Sequence, residues 1–377
     1  MPLLKLPNEL LHSIAENLDL ERDISSFGRT NRRLHHLLLD YLYENNIKRH
    51  KSAALLWAAQ HGKHKTVKMM LNKGASVKVH RDYNPLYVAS EGCHEEVVQM
   101  LLDSNADVNA QGGEYGTALQ AASHKGNEKV VQMLLDRNAH INEQGGVYGS
   151  ALQAASDRGH EKVVQMLLDR NAHVNTQDRG YDTALTAAAL GGHEKVVQML
   201  LDRNADVNAQ AGVYGTALQA ASDGGYEKIV QMLLDRNANV NTQDGGYDTA
   251  LQAASSGGHE KVVQMLLDRD ADVNAQGGYY GTALQAACQR GYEKIVQMLL
   301  DRNANINAQG GYYGTPLQAA SHGGYEKVVQ MLLDRNANVN AQDEYYGTAL
   351  QAASHRGHEN VVQMLLNRDA NVNAQGE

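Results

Sequence analysis

Histidine and cysteine are the side chains here that could bind a metal or act as nucleophiles, and their spacing argues against both roles. His61 and His64 lie three residues apart, and two histidines without a third ligand are weak evidence for zinc. Cys93 and Cys288 are far apart in sequence and form no Cys-x-x-Cys pair. The glycine pairs lack the lysine of a phosphate-binding loop. We therefore predict no catalytic residue, no metal site and no cofactor.

The remaining candidates for chemistry recur at equivalent positions along the chain instead of forming one unique group. One histidine position recurs at the predicted start of a helix, in His160, His193, His259 and His358. The many Glu–Lys and Asp–Arg pairs are interpreted as exposed pairs on helix surfaces. Because an active site needs a unique constellation of groups, we predict that this protein is not an enzyme.

A segment of 33 residues, repeated along the chain, positions all of these side chains. Its commonest form reads TALQAASxxGxEKVVQMLLDRNAxVNAQGG. Copies begin at Ala53 and Asn84, and then every 33 residues from Thr117 to Thr348. Since a stack of similar units presents a long surface and has no single closed core, the repeat favours binding over catalysis.

Each copy predicts two short helices followed by a loop. In the third copy, the alanine-rich segment from Thr117 to Gly126 predicts a first helix that a neighbour can approach closely. The segment from Glu128 to Arg137 predicts a second helix with a broad apolar face. Asn138 occupies the position after that helix, where left-handed backbone favours Gly or Asn. The polar, glycine-bearing residues 142–149 predict a hairpin-like loop.

This pattern resembles the ankyrin repeat, whose signature joins T-P-L-H-x-A-A, a glycine, a valine-rich second helix and G-A-D-V-N. The closest local matches are Thr315-Pro316-Leu317 and Ala205-Asp206-Val207-Asn208. The resemblance covers residues 53–377 in about ten repeats, and it implies an all-α solenoid of helix–turn–helix units that binds other proteins. In most copies Gln replaces the signature His, and Tyr replaces a loop glycine, which puts the geometry of the loop tips in question.

Residues 1–52 do not follow the repeat. The segment L-P-N-E-L-L at residues 6–11 predicts the start of a helix, and Leu10, Ile14 and Leu18 continue it as an apolar stripe. A second helical stretch contains Ile24 and Phe27. This segment resembles an F-box. We assign residues 1–45 to an F-box-like helical module, residues 46–52 to a linker and residues 53–377 to the ankyrin array.

The F-box resemblance implies docking to the Skp-type adaptor of a cullin-based SCF ubiquitin ligase. The residues that would form this contact or the core of the module are Leu6, Pro7, Glu9, Leu10, Leu11, Ile14, Leu18, Ile24 and Phe27. The array would then hold an unknown protein substrate, and the chain itself would catalyse nothing. The alternative is an ankyrin scaffold whose N-terminal helices only cap the first repeat and bind no ligase.

Differences between the copies indicate which positions could select a partner. One variable place is a residue pair at the end of the first helix, which the ankyrin resemblance puts on the inner groove. Another lies three residues before the Thr, where only the last three loops carry tyrosine. The predicted partner-binding residues are Tyr279, Tyr312, Tyr345, Gln289, Arg290, His322, His355 and Arg356. A second tyrosine, constant from Tyr115 onward, is predicted to pack between neighbouring repeats.

The bulk composition limits the partners and the compartment. A net charge of −9 disfavours nucleic acid as a ligand, and no 18-residue apolar stretch predicts a membrane span. Two distant cysteines and the absence of a signal-peptide pattern predict a cytoplasmic or nuclear protein, or one found in both compartments. The last copy keeps the interior apolar pattern from Val361 to Leu366, which predicts self-association if nothing covers that end.

Overall fold

The computed structural model describes residues 46–47, 53–78, 84–177, 183–210, 212, 215–243, 249–343 and 347–374. The predicted F-box-like module, with its adaptor-binding residues, lies outside the described residues, and so does Tyr345. The chain divides into two compact units, Met1–Ala154 and Ala155–Glu377.

The described helices come in pairs that match the predicted copies. Those that begin in the first unit are α1 (Ala53–Gln60), α2 (His64–Asn72), α3 (Pro85–Glu91), α4 (Glu95–Asp103), α5 (Ala118–Lys125), α6 (Glu128–Asp136) and α7 (Ala151–Asp157). Between α4 and α5 lies an antiparallel hairpin of two-residue strands, β1 (Gln111–Gly112) and β2 (Gly116–Thr117). The predicted hairpin-like loop therefore contains a small β element.

The second unit repeats the same pair of helices. Its helices are α8 (Glu161–Asp169), α9 (Ala184–Leu190), α10 (Glu194–Asp202), α11 (Ala217–Asp223), α12 (Glu227–Asp235), α13 (Ala250–Gly257), α14 (Glu260–Leu267), α15 (Ala283–Arg290), α16 (Glu293–Asp301), α17 (Pro316–Gly323), α18 (Glu326–Asp334), α19 (Ala349–Arg356) and α20 (Glu359–Leu366). Isolated β-bridges join Gly277 to Gly281 and Asp343 to Gly347. The prediction of an all-α architecture is confirmed.

From the third copy onward, the first helix of each pair begins at a capped Thr or Ser and is buried through its alanines. In α13 the Thr249 side chain accepts a hydrogen bond from the backbone of Gln252, and the Gln252 side chain accepts one from the backbone of Thr249. Ala253 and Ala254 are fully buried. Because alanine adds little bulk, first helices of neighbouring copies pack closely within each unit.

The second helix of each pair buries one apolar face and ends as the sequence predicts. In α6, Val130, Val131 and Leu134 are fully buried. Asn138 follows the helix at φ 59°, in the left-handed region. Asn or Asp recurs at this position in later copies, and both tolerate such a backbone better than other non-glycine residues do.

The charged pairs on the second helices join neighbouring repeats, which differs from the interpretation as pairs on one helix surface. Arg236 Nη2 lies 2.8 Å from Asp202 Oδ1, and Lys261 Nζ lies 3.2 Å from Glu227 Oε2, each 34 residues apart in sequence. Arg236 also donates to the carbonyl of Leu201 at 2.7 Å. These contacts recur as ladders along the outer helices, where exposed ion pairs individually add little stability.

The Asp–Arg ladder predicts a loss of stability in acid. The Arg269 guanidinium lowers the pKa of Asp235, and Arg302 lowers that of Asp268, both from the usual 3.8. A lowered folded-state pKa stabilises the fold above the unfolded-state pKa, and this stabilisation disappears as pH falls through the folded value. We expect the melting temperature, followed by circular dichroism at low salt, to fall below about pH 4. In the Asp235→Asn/Asp268→Asn variant this fall should be smaller; an identical fall in both proteins would contradict the prediction.

Candidate partner-binding surface

A buried glutamine of the first helix anchors the hairpin that carries the predicted tyrosines. Gln285 Nε2 donates to the carbonyl of Gly310 at 2.7 Å and to that of Gly314. The hairpins are also joined directly, since the Tyr312 N–H donates to the Tyr279 carbonyl at 2.8 Å. The Gln that replaces the signature His therefore holds the loop tips in place.

Glycine is required where this glutamine meets its own loop. Gly281 has a φ of +85°, and a Cβ there would lie 2.6 Å from Gln285 Oε1. A larger residue would both strain the backbone and displace the buried side chain.

Tyr279 and Tyr312 form an exposed stacked pair on adjacent loop tips. Their ring centroids are 5.2 Å apart at an interplanar angle of 15°, and the residues are 51% and 44% exposed. Tyr280 and Tyr313 each meet the neighbouring ring edge-on, with centroids 5.1 Å apart. A hydrogen bond with Tyr313 raises the pKa of Tyr279 to about 12, so its hydroxyl stays protonated at neutral pH. Of the three predicted tyrosines, the structure describes Tyr279 and Tyr312, and it brings these two together.

The constant tyrosines contact the variable residues at the ends of the first helices. Arg290 Nη2 donates to the Tyr280 hydroxyl at 3.2 Å, and this hydrogen bond raises the pKa of Arg290. Gln289 Nε2 donates to the Tyr313 hydroxyl at 3.2 Å, and the Tyr313 ring lies 5.4 Å from that of His322. These tyrosines therefore pack between neighbouring repeats, as the sequence predicts, and they also join the two predicted sets of residues.

The first unit shows the same arrangement with different side chains. The His124 ring stacks against Tyr115 at 4.5 Å and against Tyr148 at 4.6 Å, and Lys125 Nζ lies 5.5 Å above the Tyr115 ring. Sequence reasoning assigned the constant tyrosines only to packing. The signal that could have found their second role is their recurrence at a fixed distance before each variable pair.

Basic side chains gather around His322. Arg356 Nε lies 3.0 Å from His322 Nε2, and His358 Nε2 lies 3.1 Å from the His322 carbonyl. Partial burial and the charges of Arg356, His358 and His355 lower the pKa of His322, which keeps its ring neutral at physiological pH. Nε2 of the neutral ring can then accept the hydrogen bond from Arg356. We call these residues the C-terminal surface: Tyr279, Tyr280, Gln289, Arg290, Tyr312, Tyr313, His322, His355 and Arg356.

The recurring histidines at the starts of second helices bind the preceding repeat. His193 Nε2 lies 2.9 Å from the Asp157 carbonyl, and His259 Nε2 lies 2.8 Å from that of Asp223. A depression of about 310 Å³ beside His193 recurs beside His259 with about 270 Å³. Because the contact and the depression both recur, they belong to the repeat and not to a unique site. Among the described residues, no group of three or more His, Cys, Asp or Glu side chains could hold a metal ion.

The last described helix pair leaves one apolar face exposed. Leu366 is 38% exposed, whereas Leu333, at the same position one repeat earlier, is 3% exposed. Val361 and Leu365 are buried inside the repeat itself. Self-association through this face stays a prediction. No helix in the described part of the chain has the length and apolarity to cross a membrane.

Comparison with known proteins identifies the family. The family model described as ankyrin repeats (3 copies) matches residues 28–112, 111–178, 178–244, 219–310 and 309–376, so the chain belongs to the ankyrin-repeat family. The crystal structure of the human ASB11 ankyrin repeat domain is similar, with 27% identity and a TM-score of 0.52. That match covers 58% of this chain and 97% of the other. Among curated proteins, no match was found.

The family confirms the predicted ankyrin-repeat solenoid and indicates a role in protein–protein interaction. Ankyrin arrays are typically non-enzymatic binding scaffolds, and the matched family is not a catalytic one.

Proposed function

We propose that this protein is an interaction adaptor that serves as the substrate-recognition subunit of an SCF-type ubiquitin ligase. The proposal is carried by one combination: an F-box-like L-P-N-E-L-L segment at residues 6–11 precedes an ankyrin array with an exposed aromatic and cationic surface. The N-terminal segment would bind the Skp-type adaptor. The C-terminal surface would hold the protein substrate, and ubiquitin would be supplied by other subunits.

The second candidate is an ankyrin scaffold without a ligase. One observation favours it, because the match to the ankyrin family begins at residue 28, inside the segment that resembles an F-box. In that case residues 1–52 would cap the first repeat.

Adaptor capture separates the two candidates. The tagged full chain, expressed in eukaryotic cells, should co-purify with a Skp-type adaptor and a cullin, as identified by mass spectrometry. Replacing Leu6, Pro7 and Leu10 by Ala should abolish adaptor capture and leave substrate capture intact, because the array is unchanged. If the wild-type chain captures substrates but never the adaptor, the scaffold candidate is correct.

The C-terminal surface predicts a loss of substrate binding without loss of fold. We expect the Tyr279→Ala/Tyr312→Ala/Tyr345→Ala variant to weaken substrate binding about 10–100-fold, since losing this group of aromatic anchors should cost about 1.4–2.8 kcal/mol in total. Its melting temperature should barely change, because the two described rings are about half exposed. Tyr226→Ala removes a 36%-exposed ring at the start of a second helix and serves as the control. Unchanged substrate capture by the triple variant would contradict the prediction.

A further inference from the structure

The net charge of the variable pair at the ends of the first helices becomes positive toward the end of the second unit. The earlier pairs of this unit are neutral or acidic, as in Asp157–Arg158 and Asp223–Gly224, whereas Gln289–Arg290 and His355–Arg356 each carry one arginine and no acid. Within this unit the positive charge of the variable pair is therefore concentrated on Arg290 and Arg356, in a chain whose net charge is −9.

Among the residues that the structure describes, the two arginines of this surface have no carboxylate partner. The outer arginines contact carboxylates, as Arg302 does with Asp268 at 2.7 Å. Arg290 instead donates to the uncharged Tyr280 hydroxyl, and Arg356 donates to His322. Within the described part of the chain, neither guanidinium lies within ion-pair distance of a carboxylate. Both arginines are exposed, so a partner can supply the missing carboxylates.

We propose that the C-terminal surface binds an extended, acidic segment of a protein partner, with Asp or Glu side chains on Arg290 and Arg356 and an apolar side chain against Tyr279 and Tyr312. This inference rests on the proposed function and names the chemistry of its substrate. The two arginines lie on first helices that are two layers apart. At about 8–10 Å per helix layer, their separation is about 16–20 Å.

This separation sets the spacing of the acidic residues. An extended chain advances about 3.3 Å per residue, so the two carboxylates should be about five or six residues apart. Polypeptide is favoured over nucleic acid, because two arginines on an acidic protein cannot neutralise a run of phosphates. The exposed Tyr279–Tyr312 pair adds an apolar contact area of the kind that protein interfaces use.

Selection from a phage-displayed library of random peptides of about twelve residues tests this inference on the full chain. We expect selected peptides to be rich in Asp and Glu, with two acids about five or six residues apart. The Arg290→Glu/Arg356→Glu variant should bind these peptides at least about tenfold more weakly. The Lys261→Glu/Lys327→Glu variant makes the same charge change on outer helices, where both lysines are exposed, and should bind normally. Melting curves establish that each variant is folded.

The other outcomes separate this inference from the proposed function. Selected peptides without acidic enrichment, but sensitive to Tyr279→Ala, would overturn the acidic partner and leave the surface in place. Peptides whose binding is insensitive to the arginine and tyrosine substitutions would contradict both the acidic partner and the use of the C-terminal surface. An empty selection would overturn the inference. Binding of oligouridylate with the same sensitivity to Arg290→Glu/Arg356→Glu would replace the acidic peptide with a phosphate ligand.

Discussion

Leu234→Ala should lower the free energy of unfolding by about 2–5 kcal/mol, whereas Leu366→Ala should lower it by less than about 1 kcal/mol. Both leucines occupy the same position of the second helix, in α12 and α20. Leu234 is 3% exposed and Leu366 is 38% exposed. Removing a buried side chain loses its transfer free energy and leaves a cavity, while the partly exposed position can relax into solvent. The difference measures how much this leucine gains from packing against the following repeat.

Urea unfolding followed by circular dichroism measures this difference. Because repeat arrays can unfold in parts, the shift in midpoint should be compared at two wavelengths before a two-state analysis is used. Sedimentation of the Leu366→Ala variant also tests self-association, which should decrease if that face joins two copies. Equal destabilisation by both substitutions would mean that a partner or a second copy covers Leu366 in solution.

The repeat itself was predictable from the sequence because its signals are local. The period, the Thr cap, the alanine-rich first helix and the Asn after the second helix each follow from residues close in sequence. Asn138, for example, has the predicted left-handed backbone at φ 59°. The recurrence of the same pattern along the chain also averages out the ambiguity of any single helix.

Contacts between repeats were less predictable, since they join residues about one repeat apart. Arg236 and Asp202 look like ordinary surface charges in sequence, and their pairing depends on how the helices stack. The contact between Gln289 and Tyr313 depends in the same way on the position of the next hairpin. The partner-binding positions stay a prediction, and sequence reasoning missed the tyrosine contacts that connect them.

The glutamine inside each first helix illustrates why a departure from a family signature needs a structure. The sequence showed only that Gln replaces His. The structure shows Gln252 donating to the Gly281 carbonyl at 2.7 Å and Gln318 donating to the Ala341 carbonyl at 3.4 Å, each in the following loop. In the second copy, Tyr87 occupies this position, and its buried hydroxyl accepts a hydrogen bond from the Tyr115 N–H at 3.2 Å. Gln and Tyr at this position thus both form a hydrogen bond to the backbone of the following loop.

Gln285→Thr should therefore destabilise the protein by about 2–4 kcal/mol and also weaken substrate binding. The substitution removes two hydrogen bonds to the loop and leaves the carbonyls of Gly310 and Gly314 without this donor, at about 1–3 kcal/mol for each unsatisfied buried group. Thr186 already occupies the equivalent position of the fifth copy, where it is fully buried, so the fold tolerates Thr in this helix.

Loss of this anchor should free the hairpin that carries Tyr312 and so reduce affinity more than stability alone explains. Urea unfolding measures the loss of stability. Substrate binding, at a temperature where the variant is fully folded, measures the loss of affinity. Gln318→Thr makes the same change one repeat later, where the hairpin carries Tyr345, and serves as the comparison. Affinity unchanged in Gln285→Thr would mean that substrate does not contact the Tyr279–Tyr312 pair, and it would move the binding surface elsewhere on the array.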